Sequence, residues 1–161
     1  MKFLFYCLVS IVFSGVSGTV SAQELLFGSI KLDTSLPVEL SADELAIDQT
    51  SRKAVFSGNV SISQGDMMLS APSVIVVYGE STGSISQLQA TGGVLLVRGR
   101  DAAEADQADY NVDDGIITMK GNVLFEQLVG TLAADEMTVN LVQGTAEMVG
   151  RVTAILQDEN E

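Results

Sequence analysis

The sequence predicts an all-β domain built from repeats, arranged as a jelly-roll-like pair of sheets or as a short β-solenoid folded into a V. Three observations predict it. Apolar and polar residues alternate along most of the chain, clusters of turn-forming residues separate these runs, and two short motifs recur at intervals near 29 residues.

The alternation is clearest at Val38, Leu40 and Ala42, at Val60 and Ile62, and at Val74, Val76 and Tyr78. It continues at Val123 and Phe125, and at Met137, Val139 and Leu141. A period of two describes a strand with one buried face. Between these runs stand "DQTSRK", "SQGD", "YGESTGS", "DDG" and "VQGT", rich in residues that tolerate or stabilise tight turns. No run beyond the N-terminal segment has a helical period.

The repeat shows on self-comparison. At an offset of 63, "SGNVSI" (57–62) falls on "KGNVLF" (120–125) without a gap. A Gly-x-Val step recurs at Gly58, Gly92, Gly121 and Gly150, spaced by 34, 29 and 29. A second pattern recurs as "LSADELAI" (40–47), "LSAPSVIV" (69–76), "AEADQADY" (103–110) and "LAADEMTV" (132–139). Each unit has an apolar face too small to bury itself, so the units stack over a shared interior. The repeated glycine is expected at a bulge or bend, and Asp43, Asp106 and Asp135 are expected to cap it.

The first residues read as a secretory signal: Lys2, then the uncharged "FLFYCLVSIVFSGVSGTVSA", with Val20-Ser21-Ala22 as the cleavage triplet. This gives a signal at 1–22, a flexible lead-in at 23–35, one domain at 36–157 and an acidic tail at 158–161. The alternative is a retained anchor helix. Cys7 lies within the signal, so no disulfide is expected, which suits an oxidising compartment. Without Lys2, seven basic residues face twenty-one acidic ones, a net charge of −14 that argues against nucleic acid as a partner.

Chemistry is hard to place on this chain. Histidine is absent, which removes the commonest general base and zinc ligand together. No serine elbow or phosphate-cradling loop occurs. Catalysis, cofactor and metal are therefore not expected. Glu104 and Asp106 in "DAAEADQAD" lack the ligand order of a calcium loop and read as a solvated face. Asp113-Asp114-Gly115 reads as a hairpin turn. Arg98, Arg100, Arg52 and Lys53 read as edge charges, with phosphate groups of an amphiphile as the competing reading. Val38, Leu40, Val60, Ile62, Leu96, Tyr110, Val112, Val123 and Phe125 are expected to line the interior, either as a packed core or as a slot for acyl chains.

With these features in place, the chain resembles the LptA/OstA family of periplasmic lipopolysaccharide-transport proteins. The resemblance is carried by "PVELSADELAIDQTSRKAVFSGNVSISQG" (37–65), with Asp43, Asp48 and the Gly-Asn-Val step, and by "ADYNV" (108–112), "KGNVLFEQ" (120–127) and "GRVTAILQ" (150–157). It implies a V-shaped, two-sheet, OstA-like β-jelly-roll open at its ends, in the periplasm. It also implies a non-enzymatic bridge from an inner-membrane LptC-like protein to an outer-membrane LptD-like protein. The family's groove positions fall on Val38, Leu40, Leu96, Tyr110 and Val112. Its end-to-end contacts fall near Pro37 and Val38 and near Arg151, Val152 and Ile155, with head-to-tail self-association as a further implication. The alternative expectation is a structural adaptor that binds protein partners by strand addition and carries no lipid.

Overall fold

The computed structural model describes residues 31–80 and 83–156. The expected signal, most of the lead-in and the acidic tail lie outside the described residues. The two repeated motifs set the architecture, because each long strand bends where one of them sits. In chain order the strands are β1 (Glu39–Ser41), β2 (Glu44–Asp48), β3 (Lys53–Gln64), β4 (Met67–Tyr78) and β5 (Ile85–Arg98). They continue as β6 (Asp101–Asn111), β7 (Ile116–Gln127), β8 (Gly130–Asn140), β9 (Thr145–Val149) and β10 (Thr153–Leu156). No helix occurs among the described residues.

All ten strands belong to one antiparallel sheet, ordered β1-β3-β4-β5-β6-β7-β8-β10, with β2 also on β3 and β9 also on β8. The two layers expected from the sequence are therefore two halves of one sheet folded along a line. β1 pairs with the second half of β3 and β2 with the first half, so the fold line runs between them. At the other end, β10 and β9 divide β8 in the same way. The two ends of the strand order do not pair with each other, so the fold is an open jelly-roll.

The fold line is a physical consequence of the repeat. Between Ser57 and Val60, β3 has one residue more than β4 across the ladder. The same surplus occurs on β5 between Thr91 and Val94 and on β7 between Lys120 and Val123. These are β-bulges, which bend a strand and raise its twist. Gly58, Gly92 and Gly121 sit at these bulges and Gly150 in the break between β9 and β10, all with φ between +77° and +94°, a region costly for residues with a Cβ. A side chain of the adjoining chain segment packs over each glycine: Asp43, in the break between β1 and β2, over Gly58, Pro72 over Gly92, Asp106 over Gly121 and Asp135 over Gly150. A Cβ on Gly58 would stand 2.6 Å from Asp43 Oδ2.

The aspartates also tie the corner. Asn59 and Asn122 donate from Nδ2 to Asp43 Oδ2 at 2.8 Å and to Asp106 Oδ2 at 2.9 Å. Arg151 takes the asparagine's place in the last repeat and donates from Nε to Asp135 Oδ1 at 2.9 Å. That contact holds the Asp135 carboxyl below the usual carboxylate range. The expected bend-capping role of these aspartates thus has a geometry: close approach on one side and an Asn or Arg donor on the other.

The described residues of the five turn clusters read from the sequence fall at the junctions between strands. Two further tips, at Gly99-Arg100 and at Leu128-Val129, were not predicted. Leu128 and Val129 are exposed at the tip joining β7 to β8, and two apolar residues before a single glycine carry no turn signal.

Candidate functional site

The space between the two layers is where the sequence places the candidate site, and its lining follows strand parity. Inward residues of the two halves form one cluster that includes Val60, Ile62, Val74, Leu96, Tyr110, Met119, Val123, Phe125 and Met137. Among the residues expected to line the interior, Val60, Ile62, Leu96, Tyr110, Val123 and Phe125 are buried, and Val38, Leu40 and Val112 pack partly buried against them. The lining also includes Ile117, Met119, Leu88 and Met137, which the sequence reading did not single out as groove residues.

In this closed arrangement the space is largely filled. A residual apolar cavity of about 40 Å³ lies among Met67, Leu96, Ala103, Phe125, Met137, Val139 and Leu141, with Arg98 and Asp101 at its rim. That volume accommodates about three waters and no hydrocarbon chain.

One polar contact crosses between the layers inside. Tyr110 Oη donates to Gln64 Oε1 at 2.7 Å, and Gln64 is almost fully buried at 1 % exposure. Gln64 Nε2 donates to the carbonyls of Thr34 (3.2 Å) and Leu36 (2.9 Å), so its amide is satisfied. Burial pushes the Tyr110 phenol above its ordinary value. Gln64 was missed in the sequence because a glutamine beside a "SQGD" turn reads as turn polarity.

The segment preceding β1 crosses the mouth of the fold. The sequence places residues 31–35 in a flexible lead-in, yet Leu32 is 6 % exposed and belongs to the core cluster. Its N–H donates to the Leu141 carbonyl at 2.8 Å, on the first layer's rim. Arg98 Nη2 donates to the Lys31 carbonyl at 2.6 Å from the second layer's rim. Arg98 is therefore no free edge charge: its Nε also donates to Asp66 Oδ1 at 2.9 Å. Arg52, by contrast, pairs with exposed Glu80 on the surface.

The two unpaired edges of the sheet differ from the mouth. On β2, Leu45 and Ile47 share the parity of buried Ala54 through the Ile47–Ala54 pairing, yet both are exposed. On β10, Leu156 pairs with buried Gly130 and Ala154 with buried Leu132, and Leu156 is 70 % exposed. Apolar rows thus continue out of the core to both unpaired edges. Of the residues expected at the edges, Pro37 and Val38 immediately precede β1, Arg151 and Val152 precede β10, and Ile155 lies in β10 on its outer face.

Among the described residues no cluster of acidic, histidine or cysteine side chains gathers to hold a metal. Asp106 is engaged at the corner, and Glu104 is an exposed ladder residue. Asp114 closes the β6–β7 turn by hydrogen bonds with Asn111.

The comparisons with known proteins agree with this geometry. The family model described as "LptA/(LptD N-terminal domain) LPS transport protein" matches residues 39–145. The lipopolysaccharide export system protein LptA of Escherichia coli (strain K12) is 24 % identical over 168 residues, covering 88 % of this chain and 87 % of that protein. An uncharacterized protein of Rhizobium meliloti (strain 1021) is 24 % identical over 127 residues, covering 74 % of this chain and 68 % of its own. Among solved structures, LptH, the LptA-homologous periplasmic component of the lipopolysaccharide transport device of Pseudomonas aeruginosa, superposes with a TM-score of 0.70 at 14 % identity. That alignment covers 78 % of this chain and 99 % of LptH, and it shows the shared fold. With the folded sheet, the open edges and a family match spanning β1 to the start of β9, the chain belongs to the LptA/(LptD N-terminal domain) family of LPS transport proteins.

Proposed function

We propose that this chain is a periplasmic carrier that shelters the acyl chains of lipopolysaccharide between its two layers and hands them along a line of β-jelly-rolls. The observation that carries the reading is the continuation of inward apolar rows to exposed Leu45 and Ile47 at one edge and Leu156 at the other. A sealed core has no reason to extend its lining into water. Burying a methylene is worth about 0.8 kcal/mol, so one twelve-carbon chain exposed to water costs on the order of 10 kcal/mol. A trough continuous with the next domain removes that cost at each step. The unpaired edges supply the joint, because free backbone donors and acceptors accept a neighbour's strand. Head-to-tail pairing of this type need not close, so it makes a line between an inner-membrane LptC-like and an outer-membrane LptD-like partner.

A photo-crosslinking side chain at Leu40 or Tyr110, both on the inner face, is expected to capture lipopolysaccharide, while one at exposed Asn111 captures none. Equal capture at Asn111, or no capture from folded Leu40 and Tyr110 variants, refutes the reading. One observation favours a second reading, an adaptor that adds strands but holds no lipid: the interior is packed, with a cavity of only about 40 Å³. Native mass spectra distinguish the two. Bound lipid supports the carrier, and partner complexes without lipid support the adaptor.

A further inference from the structure

The carrier reading meets a difficulty in its own structure, since the inner space has no room for a chain. The segment across the mouth resolves it. We propose that residues 31–36 form a displaceable strap over the lipid-entry site, with Leu32 holding the place that a hydrocarbon tail takes when the strap lifts. The proposal rests on the carrier reading and adds to it a gate.

The strap is held as a removable element would be. It has no ladder pairing of its own, since regular structure begins only at Glu39. Three residues hold it by direct hydrogen bonds. Leu141 accepts the Leu32 N–H, Arg98 donates to the Lys31 carbonyl, and Gln64 donates to the carbonyls of Thr34 and Leu36. These attachments come from both layers, with Leu141 beyond the end of β8 and Arg98 and Gln64 at the ends of β5 and β3. The strap therefore also fixes the separation of the two rims.

Leu32 is the one apolar strap side chain sunk into the core cluster; Leu36 remains exposed. It joins that cluster and is bonded through its N–H to Leu141, a residue of the residual cavity's wall. Replacing one aliphatic side chain by an acyl chain is an exchange of like for like in transfer terms, so little resists it except the polar attachments. These are few, and lifting the strap restores the conformational freedom of six residues. Arg98 acts as the latch. It is charge-balanced by Asp66, with Asp101 at the same rim, and its Nη1 is buried without a partner among the described residues. A latch left partly unsatisfied is one that releases readily.

A disulfide between strap and rim tests this directly. A Cβ on Gly144 would lie 3.2 Å from Lys31 Cβ and 3.1 Å from its N, somewhat inside disulfide range, and Gly144 has φ +75°, so Gly144→Cys alone is the control for the strain it brings to the strap. In a Cys7→Ser background, Lys31→Cys with Gly144→Cys is expected to lose at least tenfold in lipopolysaccharide binding when oxidised and to regain it on reduction. Comparing two redox states of one folded protein keeps folding out of the result. Leu32→Ala, which empties the plug, is expected to bind lipopolysaccharide about tenfold more tightly or faster than the parent. If the oxidised lock binds as well as the reduced protein, the strap is no gate, although the carrier reading survives. If the parent, the reduced lock and Leu32→Ala all fail to bind lipopolysaccharide, the carrier reading fails and the gate with it.

Discussion

Replacing Gly121 by alanine separates two costs that the corner glycines combine, namely backbone conformation and lack of space. Gly121 has φ +81°, and a Cβ there would sit 2.9 Å from Asp106 Cγ and 3.0 Å from Asp106 Cβ, closer still to Oδ2. Gly99 is the matched control, with φ +60° and open space around the position of a Cβ. At Gly99 only the conformational cost applies. It is about 1–2 kcal/mol for an L residue at positive φ, partly offset by about 0.4–1 kcal/mol from the reduced freedom of the unfolded chain.

Gly99→Ala should therefore destabilise by about 1 kcal/mol, and by no more than about 1.6 kcal/mol. Gly121→Ala adds the cost of overpacking, about 1–3 kcal/mol, for a total near 3 kcal/mol. In a domain of this size each kcal/mol lowers the melting temperature by about 4 °C. Urea unfolding of four proteins decides the matter: parent, Gly121→Ala, Asp106→Ala and the double variant. Removing the Asp106 carboxylate should relieve the contacts of Gly121→Ala to Oδ2 and Cγ while the one to Cβ at 3.0 Å remains, a coupling of about 1 kcal/mol or more. A coupling below about 0.5 kcal/mol, or a Gly99→Ala loss equal to that of Gly121→Ala, refutes the close-approach account of the corner.

The inner polar contact and the last corner give two more predictions. Tyr110→Phe leaves buried Gln64 Oε1 without its donor and should cost about 1–3 kcal/mol in urea unfolding. Because burial raises the folded Tyr110 value, its neutral form is favoured by folding. That stability is complete below the unfolded phenol value, near 10, and is lost as pH rises towards the folded value. Tyr110→Phe should flatten this alkaline loss, and an unchanged slope would contradict the assignment. Arg151→Gln removes the donor that lowers the Asp135 carboxyl. By NMR titration the Asp135 midpoint should rise towards about 4, and the stability present above that pH and lost as pH falls through the lowered value should shrink.

Much of the frame is written locally, and particular residues show where that stops. Gly58 with Asp43, and Gly121 with Asp106, are legible because a bulge needs positive φ and a close neighbour, and both demands leave a residue type at a fixed spacing. The inward row from Val60 to Phe125 is legible because parity alone assigns it. Parity does not say whether opposite rows touch, so a filled interior and an open slot have the same pattern. Leu32 was unreadable for a different reason. Its burial depends on Leu141 and Arg98, which lie more than 60 residues away in sequence and meet it only after the sheet folds. Arg98 looked like an edge charge because its partners, Asp66 and the Lys31 carbonyl, come from other turns.

Folding one sheet on itself, rather than stacking two independent sheets, decides how the interior can open. Among the described residues every ladder bond runs along a layer or around the corner, and none crosses the mouth. Parting the rims therefore breaks no ladder pair. It disrupts apolar contact, the Tyr110–Gln64 bond and the strap, while the corner flexes at its bulges. Apolar contact is non-directional, so a hydrocarbon guest restores most of what parting the layers removes. The polar attachments are then what keep the empty protein closed, and this is where a rigid core would have used packing alone. A sandwich stapled on both sides would shelter nothing, and one with no strap would expose its lining whenever it was empty. On the proposed reading, the arrangement seen, a continuous corner opposite a mouth spanned by one short segment, would keep the apolar lining covered until a better occupant arrives.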